Sequence, residues 1–358
     1  MTEMAGLPPL HARWLADVVD GPIPDETEAT CEHCVMVVHA STARSGFRAD
    51  TKCCTYLPRL HNFLVGAVLA DPDPAAATGR ASVVDRIARR VAVTPLGLGR
   101  PRSYLLLYED GGSVVFGRAR AMRCPHYLED SGRCGVWRHR EATCATWFCK
   151  HVRGRVGASF WQEVRRMLAT VERDLAWWCL GQIGIDVGVL AALLEVREAD
   201  DRRDRKVSPG EIDGAEPRNY RELWGAWLDR EHELYRACAE LVAGLRWSQV
   251  VQIAGPVADA AARVVRDRHA QLISNRLPDR LVAGTFRTLG FSGGNCLVAA
   301  YSDYDPVALP VALVEALPSF DGRPLDAVLA DLAANGIELE RDLVLRLLDL
   351  GVLVPPES

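Results

Sequence analysis

Hydrophobic residues recur at three- and four-residue steps through the middle of the chain, and this spacing predicts amphipathic helices. The longest such face follows Ala158 and consists of Phe160, Val164, Met167, Leu168, Val171, Leu175 and Trp178. A second helical run extends to about Val196, and helices resume from Tyr220 to about His269. Shorter helices are predicted over 13–19 and 82–93. We therefore expect a set of packed helices in the central part of the chain.

Runs of strand-forming residues occur in two further places. The segment 103–119, SYLLLYEDGGSVVFGRA, predicts two strands joined by a turn at Asp110-Gly111-Gly112. Nearer the end of the chain, TFRTLG (285–290) and NCLVAAYS (295–302) predict strands around a glycine-rich turn. Three helical segments are expected to follow over 310–317, 324–336 and 340–351, and the last two end in a glycine suited to a helix C-terminus.

Together these patterns predict a mainly helical α+β fold built from several parts. Residues 198–217 are charged, contain proline and glycine and hold few apolar side chains, which is typical of a linker. The predicted parts are an N-terminal tail (1–30), a cysteine-cluster domain with trailing helices (31–197), the linker (198–217), a helical segment (218–276) and a small C-terminal domain of strands and helices (277–358).

Composition and charge narrow the class of protein. Hydrophobic residues make up 49% of the chain and charged residues 25%, as in a soluble globular protein. The formal net charge of -5 gives no support for nucleic-acid binding. The N-terminal residues lack the pattern of a signal peptide, and the longest apolar run, near Val187 to Val196, is too short to span a bilayer. We therefore expect a cytoplasmic protein that does not enter the membrane; the oligomeric state stays open.

Cysteine is the most informative residue type in this sequence. Of its eleven cysteines, eight fall in two groups: Cys31, Cys34, Cys53 and Cys54, and then Cys124, Cys134, Cys144 and Cys149. Clustered thiols without a secretion signal indicate a metal site rather than disulfides. Thiolates suit zinc or an iron–sulfur cluster, so all eight are candidate metal ligands. The remaining three, Cys179, Cys238 and Cys296, stand alone in apolar stretches and are interpreted as buried core residues.

The second cysteine group resembles a known family. Its residues read Cys134-Gly135-Val136-Trp137, then Arg140, Cys144 and Trp147–Cys149, with the doublet Cys53–Cys54 matching the end of the family's first half. This pattern, over roughly 27–155, is similar to the cysteine-cluster family of zinc- or iron-chelating domain proteins, which includes the flagellin lysine N-methylases. Glu141 stands where the family has proline, and eighteen residues separate Cys34 from Cys53. The resemblance implies metal binding, with a 4Fe-4S cluster or zinc as the candidates.

Positive charge surrounds the second cysteine group. Between Arg118 and Arg155 there are nine arginines and lysines against three acids. Such cations stabilise the net negative charge of a four-thiolate centre. Arg140 and Lys150 are the candidates to bind an anionic cofactor or substrate. His126 and His151, each two residues from a cysteine, are candidates for supporting or catalytic roles.

The C-terminal domain, residues 277–358, resembles the small winged-helix-like domains that bind leader peptides in the maturation of ribosomal peptides. The residues that carry this resemblance are Phe320-Asp321-Gly322, Leu325 to Leu332 and Leu347 to Val354. It implies that a peptide adds a strand at a sheet edge near Thr285–Thr288 or Leu297–Tyr301. The alternative is a packing or dimerisation domain.

Two hypotheses of function follow. In the first, an iron–sulfur or zinc centre takes part in modification of a protein or peptide substrate, by methyl transfer or redox chemistry, and the C-terminal domain holds that substrate. In the second, the protein is a non-enzymatic adaptor stabilised by zinc. Whether the protein is an enzyme stays open at this point.

Overall fold

A computed structural model describes residues 6–26, 34, 36–37, 46–203 and 217–356. The described chain is mainly helical, with short strands in small sheets, which confirms the predicted mainly helical α+β class. Its residues form two compact units. The first unit comprises Met1–Asp20, Thr30–Trp147 and Val164–Arg263, and the second comprises Gly21–Ala29, Phe148–Glu163 and Val264–Ser358. In the described ranges, no helix is both long enough and apolar enough to cross a membrane.

The described helices follow the chain in this order: α1 (Pro9–Val18), α2 (Asn62–Ala70), α3 (Ala77–Ala88), α4 (Arg102–Val115), α5 (Ala142–Thr146), α6 (Gly154–Gln182), α7 (Val187–Arg203), α8 (Pro217–Trp224), α9 (Glu231–Ala243), α10 (Trp247–Ala254), α11 (Pro256–Ile273), α12 (Val311–Ala316), α13 (Leu325–Ala334) and α14 (Arg341–Leu350). The predicted apolar face of α6 is confirmed, because its aliphatic members are buried and Trp178 is half-buried.

The strands of the first unit are all short. They are β1 (Leu60–His61), β2 (Val93–Thr94), β3 (Gly97–Leu98), β4 (Tyr127–Leu128) and β5 (Arg133–Cys134). Antiparallel pairing gives a sheet in the order β1-β3-β2 and a separate β4–β5 ribbon. Strand β5 ends at Cys134, one of the predicted ligands.

A close contact between α2 and α9 organises the helical core of the first unit. A Cβ placed on Gly66 of α2 would lie 1.8 Å from the carbonyl oxygen of Tyr235 in α9, so only glycine permits this approach. On the same helix, the Asn62 side-chain amide donates to the carbonyl of Ala176 in α6 at 2.9 Å. Helix α2 therefore contacts both α6 and α9 in the core.

The predicted hairpin over 103–119 is wrong, because residues Arg102–Val115 form helix α4. Tyr104 anchors this helix: its buried hydroxyl accepts from the Leu57 N–H at 2.9 Å and donates to the Thr55 carbonyl at 2.8 Å. Gly112 adopts a φ of 49°, so the predicted turn glycine produces a kink inside the helix. Packing of Tyr104 has thus outweighed the local turn preference of the Asp-Gly-Gly sequence.

In the predicted linker, the residues that the structure describes are helical. Its first residues, 198–203, continue helix α7, and α8 begins at Pro217. The intervening residues 204–216 lie outside the described part of the chain.

The second unit contains the remaining strands, β6 (Arg280–Ala283), β7 (Arg287–Ser292), β8 (Asn295–Ala299), β9 (Val307–Pro310), β10 (Asp321–Pro324) and β11 (Leu353–Val354). They form two antiparallel sheets, in the orders β10-β6-β11 and β7-β8-β9. Helices α12, α13 and α14 supply apolar side chains to a core that includes Leu313, Phe320, Leu332 and Leu347. The strands and three helices predicted for this region are therefore present, and Gly351 takes the left-handed conformation expected at a helix end.

The position of β8 corrects one of the two predicted sheet edges. Strand β8 pairs with β7 on one side and β9 on the other, so Leu297 and Val298 lie in a central strand. Among the described strands, β7 pairs only with β8. Of the two predicted edges, the one next to Thr285–Thr288 thus belongs to an edge strand of the described sheet and can accept another strand.

Candidate metal centre

The two cysteine groups meet through a backbone hydrogen bond. Cys53 and Cys54 lie in a short 3-10 turn, Lys52–Thr55, and the N–H of Cys124 donates to the Cys54 carbonyl at 2.7 Å. This bond brings the first ligand candidate of the second group beside the doublet of the first. The turn itself is held by Lys52, whose Nζ donates to the Gly132 carbonyl at 2.7 Å.

Cys134 is positioned by the β4–β5 ribbon. It pairs with Tyr127, and the N–H of the next residue, Gly135, donates to the His126 carbonyl at 2.7 Å. A Cβ placed on Gly79 of α3 would lie 1.7 Å from the Gly135 carbonyl oxygen. Gly135, the residue after Cys134, therefore lies directly against the backbone of α3.

Cys144 lies in α5, whose N-cap is Glu141. The Glu141 carboxylate accepts hydrogen bonds from the N–H groups of Thr143 at 2.7 Å and Cys144 at 2.8 Å. Such capping satisfies backbone donors that the helix itself leaves without partners. Glu141 thus has a defined role, because it orients the turn that carries Cys144.

Six thiols influence one another's ionisation, and we call them the thiol cluster: Cys34, Cys53, Cys54, Cys124, Cys134 and Cys144. Burial raises the pKa of Cys124 to about 12, and the neighbouring Cys134 acts in the same direction. For Cys144, burial is again the largest cause of a raised pKa, followed by Glu141 and then by other members of the cluster. The cluster therefore opposes ionisation unless positive charge or hydrogen bonding compensates.

Hydrogen bonds from the backbone supply part of that compensation. Burial raises the pKa of Cys34, whereas the backbone N–H groups of Met36 and Val37 lower it; the Val37 N–H also donates to the Cys34 carbonyl at 3.0 Å. The N–H of His126 likewise donates to the sulfur of Cys124 and opposes the effect of burial on its pKa. Donors aimed at sulfur stabilise the thiolate form, which is the form that binds metal.

Cations supply the rest of the compensation. A hydrogen bond from Cys54 is the largest cause of the lowered pKa of Cys53, and the charges of Arg140 and Lys52 lower it further. Arg86 acts in the same direction on Cys124. Arg86 is 2% exposed and lies on α3, far in sequence from every cysteine. Arg86 was not among the charges considered in the sequence, because those lie between Arg118 and Arg155. Its spacing from the apolar residues Val83 and Ile87, which share the buried face of α3, could have indicated that it is buried.

His126 belongs to a buried chain of hydrogen bonds. Its Nδ1 lies 2.8 Å from Ser82 Oγ, and its Nε2 lies 3.4 Å from a guanidinium nitrogen of Arg86. Since Arg86 can only donate, we infer that Nε2 is the acceptor and that Nδ1 carries the proton. Burial, aided by Arg86, lowers the pKa of His126 to about 3. The neutral imidazole therefore supports the Cys124 turn, and both of its nitrogens are occupied.

The two candidate cofactor-binding residues have different surroundings. The buried Arg140 donates to the carbonyls of Trp137 at 3.0 Å, Cys144 at 3.1 Å and Gly6. Its guanidinium also stacks 3.4 Å from the centre of the Trp137 ring. Lys150, in the second unit, lies 3.9 Å from Asp305 and is about a third exposed. Arg140 therefore clamps the backbone around Cys144, whereas Lys150 has a partly exposed ammonium group.

His151, the other histidine candidate, lies in the second unit. Its ring contacts those of Phe148 and Tyr301, with centroids 6.2 Å and 5.9 Å away. Burial lowers its pKa to about 4, against the opposing charge of Asp305. The imidazole is thus neutral at physiological pH, in an aromatic setting.

A buried polar pair behind α5 was not predicted from the sequence. His11 Nε2 of α1 lies 2.8 Å from Glu172 Oε1 of α6, and both side chains are almost completely buried. This is ion-pair distance, but the relative orientation does not make a hydrogen bond. Burial raises the pKa of Glu172 to about 8 and lowers that of His11 to about 4. The pair is therefore largely uncharged at neutral pH, next to the capping residue Glu141.

Two predicted ligands fall outside the thiol cluster. Cys31 lies outside the described residues, and Cys149 belongs to the second unit. Among the residues that the structure describes, no group of three or more His, Cys, Asp or Glu side chains is arranged to hold a metal ion. The donor chemistry of the thiol cluster suits a soft metal, and the assignment of individual ligands stays a prediction.

Comparison with family models, with curated proteins and with solved structures found no match for this chain.

Proposed function

We propose that the thiol cluster binds zinc or an iron–sulfur cluster and that the protein takes part in modification of a protein or peptide substrate. The observation that carries this proposal is the set of donors and cations directed at the thiols. Backbone N–H groups lower the pKa of the Cys34 and Cys124 thiols, and three cations also lower thiol pKa values. Apolar packing of reduced cysteines requires neither feature, whereas a metal–thiolate centre requires both.

Charge balance supports the same proposal. Four thiolates around Zn²⁺, or around a four-iron core of charge +2, leave a net charge of about -2. Lys52, Arg86 and Arg140 supply three positive charges around the cluster. Burying an anionic centre of this size is expensive unless such charges accompany it.

The second unit offers a surface for the proposed substrate. Strand β7 is an edge strand among the described strands, and its Phe291 and Leu289 are exposed, Phe291 to 72%. An extended peptide that adds to this edge would gain main-chain hydrogen bonds along β7 and apolar contacts with those two side chains. Methyl transfer and redox chemistry are both compatible with a thiolate metal centre, and we propose one of these as the reaction class.

The second candidate function is a zinc-stabilised adaptor without enzymatic activity. The burial of Cys124 favours it, because closed thiolate sites surrounded by protein usually stabilise a fold. In that case the exposed edge of β7 would bind a partner protein rather than a substrate.

Substitution of Cys124 by serine tests the proposed centre. We expect Cys124→Ser, purified without oxygen, to lose most of its bound metal. The matched control is Cys296→Ser: this cysteine is also buried, but it lies in the core of the second unit with Thr288 Oγ1 at 3.7 Å. Equal metal content in both variants and the unmodified protein would contradict the proposal.

Whether Cys124→Ser stays folded after it loses metal distinguishes a reactive centre from a structural zinc site in an adaptor. Metal loss accompanied by unfolding indicates a structural zinc site, since binding and folding are then coupled. A folded Cys124→Ser protein that has lost iron and sulfide indicates a reactive centre.

A further inference from the structure

Two cysteines outside the thiol cluster contact each other in the core of the first unit. Cys179 of α6 and Cys238 of α9 are both 0% exposed. The Cys179 thiol donates to the Cys238 carbonyl oxygen at 3.7 Å, and the Cys238 thiol donates to the Cys179 sulfur. The two cysteines are 59 positions apart, so the sequence gives no sign that they form a pair. The fold makes them a pair.

Packing around the pair keeps the two helices in this register. Asn62 of α2 donates to the Ala176 carbonyl, one turn before Cys179. Gly66 of the same helix lies against the Tyr235 carbonyl, about one turn before Cys238. Since α2 contacts both α6 and α9 next to the cysteines, the packing of the three helices holds the two thiols beside each other.

We propose that Cys179 and Cys238 are a modification site, at which a peroxide oxidises the two thiols to a disulfide that links α6 to α9. One sulfur attacks the peroxide, the O–O bond breaks, and a sulfenic acid and one water are formed. The second sulfur then attacks the sulfenic sulfur, the S–S bond forms, and a second water leaves. Overall, two thiols and one hydrogen peroxide give one disulfide and two waters. An external dithiol reverses the reaction by exchange.

Burial determines when this reaction occurs. Burial and the hydrogen bond that Cys238 donates to Cys179 both raise the pKa of Cys238, so the closed core holds little reactive thiolate. Oxidation therefore proceeds through local opening of α9, and the disulfide traps the chain once the helices close again. The link closes a loop that includes the charged stretch 198–217, and we expect the thermal unfolding midpoint to rise by about 10 °C.

The full-length protein tests this proposal by differential alkylation. Protein is treated with hydrogen peroxide in urea below the unfolding transition, with tryptophan fluorescence recording that it stays folded. Free thiols are then blocked, and peptides are analysed by mass spectrometry before and after reduction. We expect a peptide pair joined through Cys179 and Cys238, two hydrogen atoms lighter than its separate thiol peptides and separated by dithiothreitol.

Two controls make the outcome specific. Cys296 is equally buried in the second unit, where its sulfur contacts the Thr288 hydroxyl rather than a thiol, and we expect to recover it as a thiol. In Cys179→Ser, Cys238 should likewise be recovered unlinked. The proposal is overturned if the unmodified protein yields Cys179 and Cys238 as free thiols, as separately overoxidised residues, or joined to members of the thiol cluster. Because that readout needs only the unmodified protein, it stands even where the variant fails to fold.

Discussion

Replacing Gly79 by alanine should displace the strand that carries Cys134. An alanine Cβ at this position would lie 1.7 Å from the Gly135 carbonyl oxygen, whereas real Cβ contacts are essentially never shorter than 3.0 Å. Helix α3 and β5 must therefore separate by about 1.3 Å. Overpacking costs roughly 1–3 kcal/mol, and we place a backbone shift of this size at the upper end of that range. Alanine also favours the helix by about 1 kcal/mol over glycine. We expect a net loss of about 2 kcal/mol in the free energy of unfolding.

Urea unfolding followed by tryptophan fluorescence measures this loss, and metal analysis of the same sample reports on the thiol cluster. Gly181→Ala is the matched control, since a Cβ added to this helical glycine of α6 would meet no neighbouring atom within 4 Å. That variant should be unchanged or more stable by up to about 1 kcal/mol. A Gly79→Ala protein with unchanged stability and unchanged metal content would refute the close packing of α3 on the Cys134 segment.

Two further predictions concern buried charge in the first unit. Arg86→Met should weaken metal retention, because it removes a cation that lowers the pKa of Cys124; Arg89→Met, which alters the exposed C-cap residue of the same helix, should not. Glu172→Gln should change the pH dependence of unfolding. The raised pKa of Glu172 means that the folded protein keeps a proton that the unfolded chain releases between pH 4.5 and about 8, so stability falls as pH rises through that window. The lowered pKa of His11 changes stability in the opposite direction, but only below pH 6.5. Between pH 6.5 and 8, Glu172 is therefore the member of the pair that changes stability, by at most about 1.4 kcal/mol per pH unit. Urea titrations across that range should show a flatter profile for the variant, and parallel profiles would refute the assignment.

Periodic apolar spacing predicted the parts of the fold that depend on one face of one element. The face of α6 from Phe160 to Leu175 and the helices α13 and α14 follow from that spacing alone. Helix α4 did not, because its Asp-Gly-Gly sequence favours a turn locally. Its conformation depends on the burial of Tyr104 against Leu57, a contact between distant segments.

In the candidate site too, local sequence spacing predicted some features, and contacts between distant segments determined the others. Cysteine spacing indicated metal binding but left open whether the two groups form one site or two; the hydrogen bond between Cys124 and Cys54 brings the groups side by side. Spacing could not show that Arg86, His11 and Glu172 are buried nearby, since each reaches its position through packing of a separate helix. Nor could it reveal that Cys179 and Cys238 form a pair.

Anaerobic purification followed by metal and acid-labile sulfide analysis tests the central claim most directly. The account predicts stoichiometric zinc, or stoichiometric iron and sulfide with a brown colour, and loss of that metal in Cys124→Ser but not in Cys296→Ser. Brown protein would favour the reactive centre, and colourless protein with tightly held zinc would favour the adaptor. Folded protein that contains neither metal would contradict the account.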